Sequence, residues 1–172
     1  TAQIIEAGSI SAIIEPGASA VLDALARGRE HALIFFDPNA RPSIMGEPTA
    51  ALASLERFIA LADVVKVSDE DIDWLTGGAP VDEVVDRWLG MGVSLVVVTR
   101  GKHGSDVTTA SGLRFTKTPS DVPVVDTVGA GDSFMGGMID AMWGMGLRGA
   151  EVREALRTLP EEQVRAIIDR AS

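Results

Sequence analysis

The sequence contains no cysteine, which excludes disulfides and thiolate metal sites and fits a reducing cytosol. Its two histidines, His31 and His103, are too isolated to build a metal site, and each is expected at the surface or at a strand end. No apolar run approaches the roughly 18 residues that a membrane span needs. No signal peptide is read at the start, so a cytoplasmic location is the expectation. Positive charge is scarce: 15 Lys and Arg stand against 25 Asp and Glu, a formal net charge of −10. Such a balance argues against nucleic acid or an anionic membrane as partner. It leaves a phosphate ligand open, because backbone N–H groups and a metal ion can bind phosphate locally. A Walker-type P-loop is excluded, since no G-x-x-x-x-G-K-[ST] occurs.

What is present describes a globular chain. Its 172 residues are 46% hydrophobic and 23% charged, with 18 glycines and 8 prolines dispersed along the length. That length suits one domain spanning 1–172, burying roughly 70% of its unfolded surface. Ile4 to Ser9 is a short apolar run closed by Gly-Ser, and Ala32 to Phe36, Val64 to Val67 and Leu95 to Thr99 follow it; such runs suit parallel strands buried on both faces. Helical spacing places helices after Pro16, over Pro48 to Ala60, Asp69 to Leu75 and Val81 to Leu89. Ser105 to Thr109 and Leu113 to Lys117 flank Ala110-Ser111-Gly112 and read as a β-hairpin. Val124-Val125 leads into a glycine-rich loop. Helices then follow over Ala130 to Trp143, Ala150 to Thr158 and Glu161 to Ala171. This alternation predicts an α/β fold with a mainly parallel sheet.

The loop Asp126-Thr127-Val128-Gly129-Ala130-Gly131-Asp132 carries the chemistry. Glycines at 129 and 131 let the backbone approach a ligand and adopt positive φ. The unpaired N–H groups at the following helix start, with the helix dipole behind them, form an anion site. Asp132 in the first turn is placed to accept a proton from an attacking hydroxyl. A base beside an anion hole is an arrangement for phosphorylating an alcohol. The same spacing also describes a plain glycine-rich helix start with Asp132 as a stabilising carboxylate, worth about 1 kcal/mol. Gly136 and Gly137 weaken the helix but allow close packing against a neighbour. Met135, Met138, Met142 and Met145 are expected to face the core.

Asp126 to Gly137, DTVGAGDSFMGG, resembles the C-terminal signature of the ribokinase-like (PfkB) carbohydrate kinase family. Three further stretches agree in the family's order. Asp37-Pro38-Asn39-Ala40-Arg41-Pro42 resembles the D-P-N-x-R-P segment that lines the cleft of fructokinases and ketodeoxygluconate kinases. Lys66 to Asp71 sits at the family's N-x-x-E motif, here Ser68-x-x-Asp71. Thr99 to Gly104 resembles the T-x-G-x-x-G segment that contacts the nucleotide. The resemblance implies a three-layer α/β/α sandwich, incomplete here. It implies Asp132 as catalytic base and Gly129, Ala130 and Gly131 as anion hole. It implies ATP contacts at Lys66, Ser68, Thr99, Gly101 and Gly104, and sugar contacts at Asp37, Asn39, Arg41 and Asp132. Magnesium is implied at Asp71, through water, and a monovalent cation such as K⁺ at the backbone of Asp126 and Thr127.

Family members carry a small β lid and most sugar-binding residues before the point where Thr1 aligns, and a helix-strand-helix segment beyond Ser172. The chain is therefore expected to be a fragment or the ordered part of a longer kinase, which the family's dimers would make a homodimer. The expected reaction is phosphorylation of a primary hydroxyl of fructose, a related hexose or a keto-sugar acid. One alternative keeps the fold and phosphorylates a nucleoside or vitamin-like alcohol; another is a catalytically silent nucleotide-binding module. Two other patterns fail. Gly144-Met145-Gly146-Leu147-Arg148-Gly149 fits G-x-G-x-x-G but follows a helix instead of a strand. Asp69-x-Asp71-x-Asp73 begins like a calcium loop but has Trp74 at position six and Pro80 at position twelve. Lys102 is read either as a phosphate partner or as an exposed loop lysine.

Overall fold

The computed structural model describes residues 2–118 and 129–172. Among the described residues, six strands form one sheet in sequential order. They are β1 (Ile4–Gly8), β2 (Leu33–Asp37), β3 (Val64–Ser68), β4 (Leu95–Thr99), β5 (Ser105–Thr109) and β6 (Arg114–Lys117). The first four are parallel, whereas β5 and β6 are added antiparallel through the expected hairpin.

Each parallel strand steps one place further along the sheet, and right-handed crossovers in one direction must put every connecting helix on one face. The helices are α1 (Gly17–Gly28), a short α2 (Pro42–Met45), α3 (Pro48–Ile59), α4 (Asp69–Thr76) and α5 (Val81–Gly90). Alternation along each strand then sorts the side chains. Ile34, Phe36, Val65, Val67, Val96 and Val98 join the core under α1, α3, α4 and α5. Leu33, Phe35, Val64, Leu95 and Val97 point the other way, into a second core with α6 (Ala130–Gly144), α7 (Arg153–Leu156) and α8 (Glu161–Ala171). The result is three layers, helices on both faces of a mainly parallel sheet. Among the described residues no helix is long and apolar enough to cross a membrane.

The structure corrects several local expectations. Ala150 to Thr158 is not one helix. A 3₁₀ turn over Ala150–Val152 precedes the four-residue α7, where the Arg153 guanidinium is tied to the sheet. The short helix α2, started by Pro42, was not anticipated. Met135, Met138 and Met142 are buried, but Met145 lies just past the end of α6 and is exposed. Of the two glycines in α6, only Gly137 is a packing requirement. A Cβ at Gly137 would stand 2.7 Å from the Ala171 Cα and 3.0 Å from the Arg170 carbonyl oxygen, whereas Gly136 has open space. Because those neighbours are backbone, Gly137→Ala must push α8 away from α6. Overpacking of this kind is expected to cost about 1–3 kcal/mol in a urea titration, with Gly136→Ala neutral or stabilising.

Candidate active site

The C-terminal ends of parallel strands are where an open α/β sheet gathers its ligands, because the loops diverge there and leave a crevice. In this chain Gly8, Asp37, Ser68 and Thr99 are those ends, with Gly8 paired to Asp37 and Ser68 to Thr99. Alternation puts Asp37, Lys66, Ser68 and Thr99 on the sheet face that α6 covers, in phase with Phe35, Val64 and Val97 of that core. Glu6, paired with Phe35, shares that phase.

Helix α6 begins with Gly129 in the left-handed region, φ 76°, a backbone state that an L side chain resists. Its first residues hang over the strand ends. Gly129 and Ala130 are exposed, Gly131 is half-buried, and Asp132 is exposed in the first turn. The Lys66 side chain rises from β3 beneath them. A Cβ on Gly131 would lie 2.6 Å from the Lys66 Nζ, so a side chain there would displace the ammonium. That ammonium donates to the Asp37 Oδ2 at 2.7 Å, and both side chains are 6% exposed. Two positive features, a buried ammonium and a helix N-terminus, thus meet at one solvent-open point. Such a point suits a multiply charged anion.

The surrounding groups complete the crevice. The Asp37 Oδ1 accepts from the Asn39 N–H at 3.1 Å. Asn39 holds φ 39° and Ser9 φ 55°, and the Ser9 hydroxyl donates to the Asn39 carbonyl at 3.1 Å. Two non-glycine residues in the left-handed region, joined across adjacent strand ends, mark a backbone held in place by its surroundings. Asp71 opens toward the same crevice. Its Oδ1 accepts from the Ala40 N–H at 3.2 Å, and its own N–H is capped by the Ser68 hydroxyl at 3.0 Å. After β4 the chain turns through Gly101 and Gly104, φ 51° and 92°. Arg100 pins this turn, its Nε on Asp106 at 2.5 Å and its Nη1 3.7 Å from Asp69. The nucleotide-loop and magnesium-motif candidates are thereby tied together.

Burial raises the Asp37 carboxyl above the usual aspartate range; the neighbouring ammonium of Lys66 opposes that rise, and the charge of Asp71 adds to it. Glu6 was missed by sequence reasoning, although one acid inside Ile4-Ile5-Glu6-Ala7 was a legible anomaly. Loss of water around its carboxyl raises its pKa, the charges of Asp37 and Asp132 raise it further, and Lys66 lowers it. A carboxyl with a raised folded pKa costs stability once ionised, fully at pH values above that pKa and not at all below the unfolded one. Glu6→Gln is therefore expected to raise Tm at neutral pH. The gain should vanish as the pH falls below the ordinary glutamate range, which paired thermal melts would check.

Not every expected residue joins the cluster. Arg41 is exposed and turns its guanidinium onto the Ala40 carbonyl, 3.0 Å away. Lys102 and His103 are exposed in the turn after β4. Asp126 and Thr127, the monovalent-cation candidates, lie outside the described residues. Among the described residues no three His, Asp or Glu side chains group as a metal site. Asp69, Asp71 and Asp73 are instead part of α4.

Comparison with known proteins gives one consistent picture. The family described as pfkB family carbohydrate kinase matches residues 2–158. A fructokinase of Rhizobium leguminosarum bv. trifolii is 38% identical over 136 residues, 78% of this chain and 41% of that protein. The structure of a fructokinase with bound ATP from Xylella fastidiosa superimposes with a TM-score of 0.86 at 26% identity, covering 98% of this chain and 53% of that one. A double mutant of the fructokinase from Vibrio cholerae O395, bound to fructose, ADP and potassium ion, gives a TM-score of 0.79 at 28% identity. There 99% of this chain and 52% of that one are covered. The chain thus spans about half the length of these relatives.

Proposed function

Because the chain belongs to the pfkB family of carbohydrate kinases, we propose that it carries the phosphoryl-transfer part of a sugar kinase acting on a primary hydroxyl of fructose, a related hexose or a keto-sugar acid. One observation carries this reading: the buried Lys66 ammonium and the α6 N-terminus converge where Asp132 enters the first turn. The Asp132 carboxylate takes the proton of the sugar hydroxyl as its oxygen attacks the γ-phosphorus of ATP. The bond from that phosphorus to the β–γ bridging oxygen breaks, and ADP leaves with the electron pair. Charge building on the transferred group is met by the amides of Gly129, Ala130 and Gly131 and by Lys66.

The nucleotide would lie along Ser68, Thr99, Gly101 and Gly104, with Asn39 next to the sugar and Arg41 reaching it once its guanidinium leaves the Ala40 carbonyl. A divalent cation, when bound, neutralises charge across the phosphates. Asp71 would hold magnesium through water, as a carboxylate suits a hard, strongly hydrated cation. Asp126 and Thr127 would supply carbonyls to a monovalent cation such as potassium.

The test is ATP-dependent phosphorylation of fructose by the purified protein, followed as sugar phosphate formed. Turnover supports the kinase reading. ATP binding without transfer to any sugar would favour a catalytically silent nucleotide-binding module, and transfer to nucleosides alone would move the acceptor class.

A further inference from the structure

Resting on the phosphoryl-transfer reading above, we propose that Asp37 is a positioning residue: it holds the Lys66 ammonium against the first turn of α6, and does not bind the sugar. The D-P-N-x-R-P resemblance points its carboxylate at a substrate hydroxyl. The geometry points elsewhere, since Oδ2 is 2.7 Å from the Lys66 Nζ and Oδ1 accepts the Asn39 N–H at 3.1 Å. Both oxygens are engaged within a buried pair, and with the Asp37 side chain only 6% exposed a sugar hydroxyl has little access to either.

The pairing has a strand-level cause. β2 and β3 run in register at Phe35–Val64 and Phe36–Val65, and one step further sets Asp37 beside Lys66 on the α6 face. Two neighbouring rigid strands therefore fix the carboxylate and the root of the lysine together. The lysine needs that anchor. An ammonium under a helix N-terminus is repelled by the dipole, and a buried unpaired charge is expensive. With the carboxylate in place the ammonium stays between Asp37 and Gly131, ready to share its remaining protons with a phosphoryl oxygen. Burial raises the Asp37 pKa and Lys66 opposes this, so the two partners support one another.

The experiment measures ATP and AMP affinity by titration calorimetry on the 172-residue chain. The variants are Asp37→Asn, Asp37→Glu, Lys66→Met and the double variant Asp37→Asn/Lys66→Met. Asp37→Asn and Lys66→Met are each expected to weaken ATP binding about 10- to 100-fold, the worth of a charge-assisted phosphate contact. AMP, which lacks the outer phosphates, should be unaffected, and Asp37→Glu should restore most of the loss. The double variant should bind ATP no more weakly than Lys66→Met, because Asp37 acts only through the lysine.

ATP affinity untouched by Asp37→Asn, or losses that add in the double variant, would overturn the inference. If Asp37→Asn does not fold, Gly131→Ala serves instead, displacing the ammonium while keeping both charges. It should weaken ATP binding beside Lys66 and add nothing in the Lys66→Met background; an equal loss in both backgrounds overturns the inference. No ATP binding by the unaltered chain would remove the phosphoryl-transfer reading itself, and this inference with it.

Discussion

Asp132→Asn is expected to lower kcat for sugar phosphorylation by about 10²–10⁴-fold, the usual worth of a positioned general base. The amide is nearly isosteric with the carboxylate and cannot take the hydroxyl proton. Little else should change. Asp132 is exposed in the first turn of α6, so its loss removes only a helix-dipole interaction of about 0.3–1 kcal/mol. ATP affinity should hold or rise slightly, because one negative charge leaves the neighbourhood of the phosphates. The same substitution carries a second readout. Since the Asp132 charge helps to raise the Glu6 pKa, its removal should move the Glu6 titration, followed by carboxyl NMR, toward the ordinary range. Unchanged turnover would end the assignment of Asp132 as base, whatever Glu6 does.

The contrast between Asp132 and Glu6 shows what the sequence can and cannot say about this site. Asp132 sits in a local motif whose meaning lies in its own neighbours: glycines, then a carboxylate, then a helix. Glu6 has no such context, and its meaning comes from Asp37, Asp132 and Lys66, which are distant in sequence and meet only through strand order and α6 packing. Asp37 lies between these cases. Its motif marked it as a cleft residue, but which partner its carboxylate holds depends on the β2–β3 register. Three of the parallel strands, β2, β3 and β4, were legible because each is buried on both faces and reads as one apolar run, whereas β1 is only half-buried and carries an exposed Glu6. Met145 was misplaced because the helical stripe of methionines continues in sequence one step beyond the end of α6. The break at α7 was hidden because a 3₁₀ turn and a short helix carry the same apolar spacing as one longer helix.

Asp63 reverses the profile expected of Asp132: a large loss of stability with the crevice chemistry untouched. It sits at the opposite pole of the sheet, just before β3, and is fully buried. Its Oδ2 accepts the Ile34 N–H at 2.8 Å and its Oδ1 accepts the Arg153 Nε at 2.6 Å, while its carbonyl takes the Ser94 N–H at 2.8 Å. Arg153 in turn donates to the carbonyls of Ala32 and Arg29, at 2.7 and 3.0 Å. The carboxylate therefore joins the starts of β2 and β3 to α7, across the helical layer that carries α6, while the Asp63 backbone carbonyl adds the start of β4. Asp63→Ala leaves the Arg153 guanidinium, 24% exposed, without its counter-charge and orphans a buried strand N–H. Breaking one side of a buried pair costs about 3–5 kcal/mol, which for a domain of this size lowers Tm by roughly 6–20 °C. Asp63→Ala/Arg153→Met should recover part of that loss, because the unpaired charge is gone. Denaturant titration of the three variants distinguishes the outcomes. A change under about 0.5 kcal/mol for Asp63→Ala, the level of an ordinary surface substitution, would mean that water replaces the carboxylate and the pair does not hold the sheet to α7.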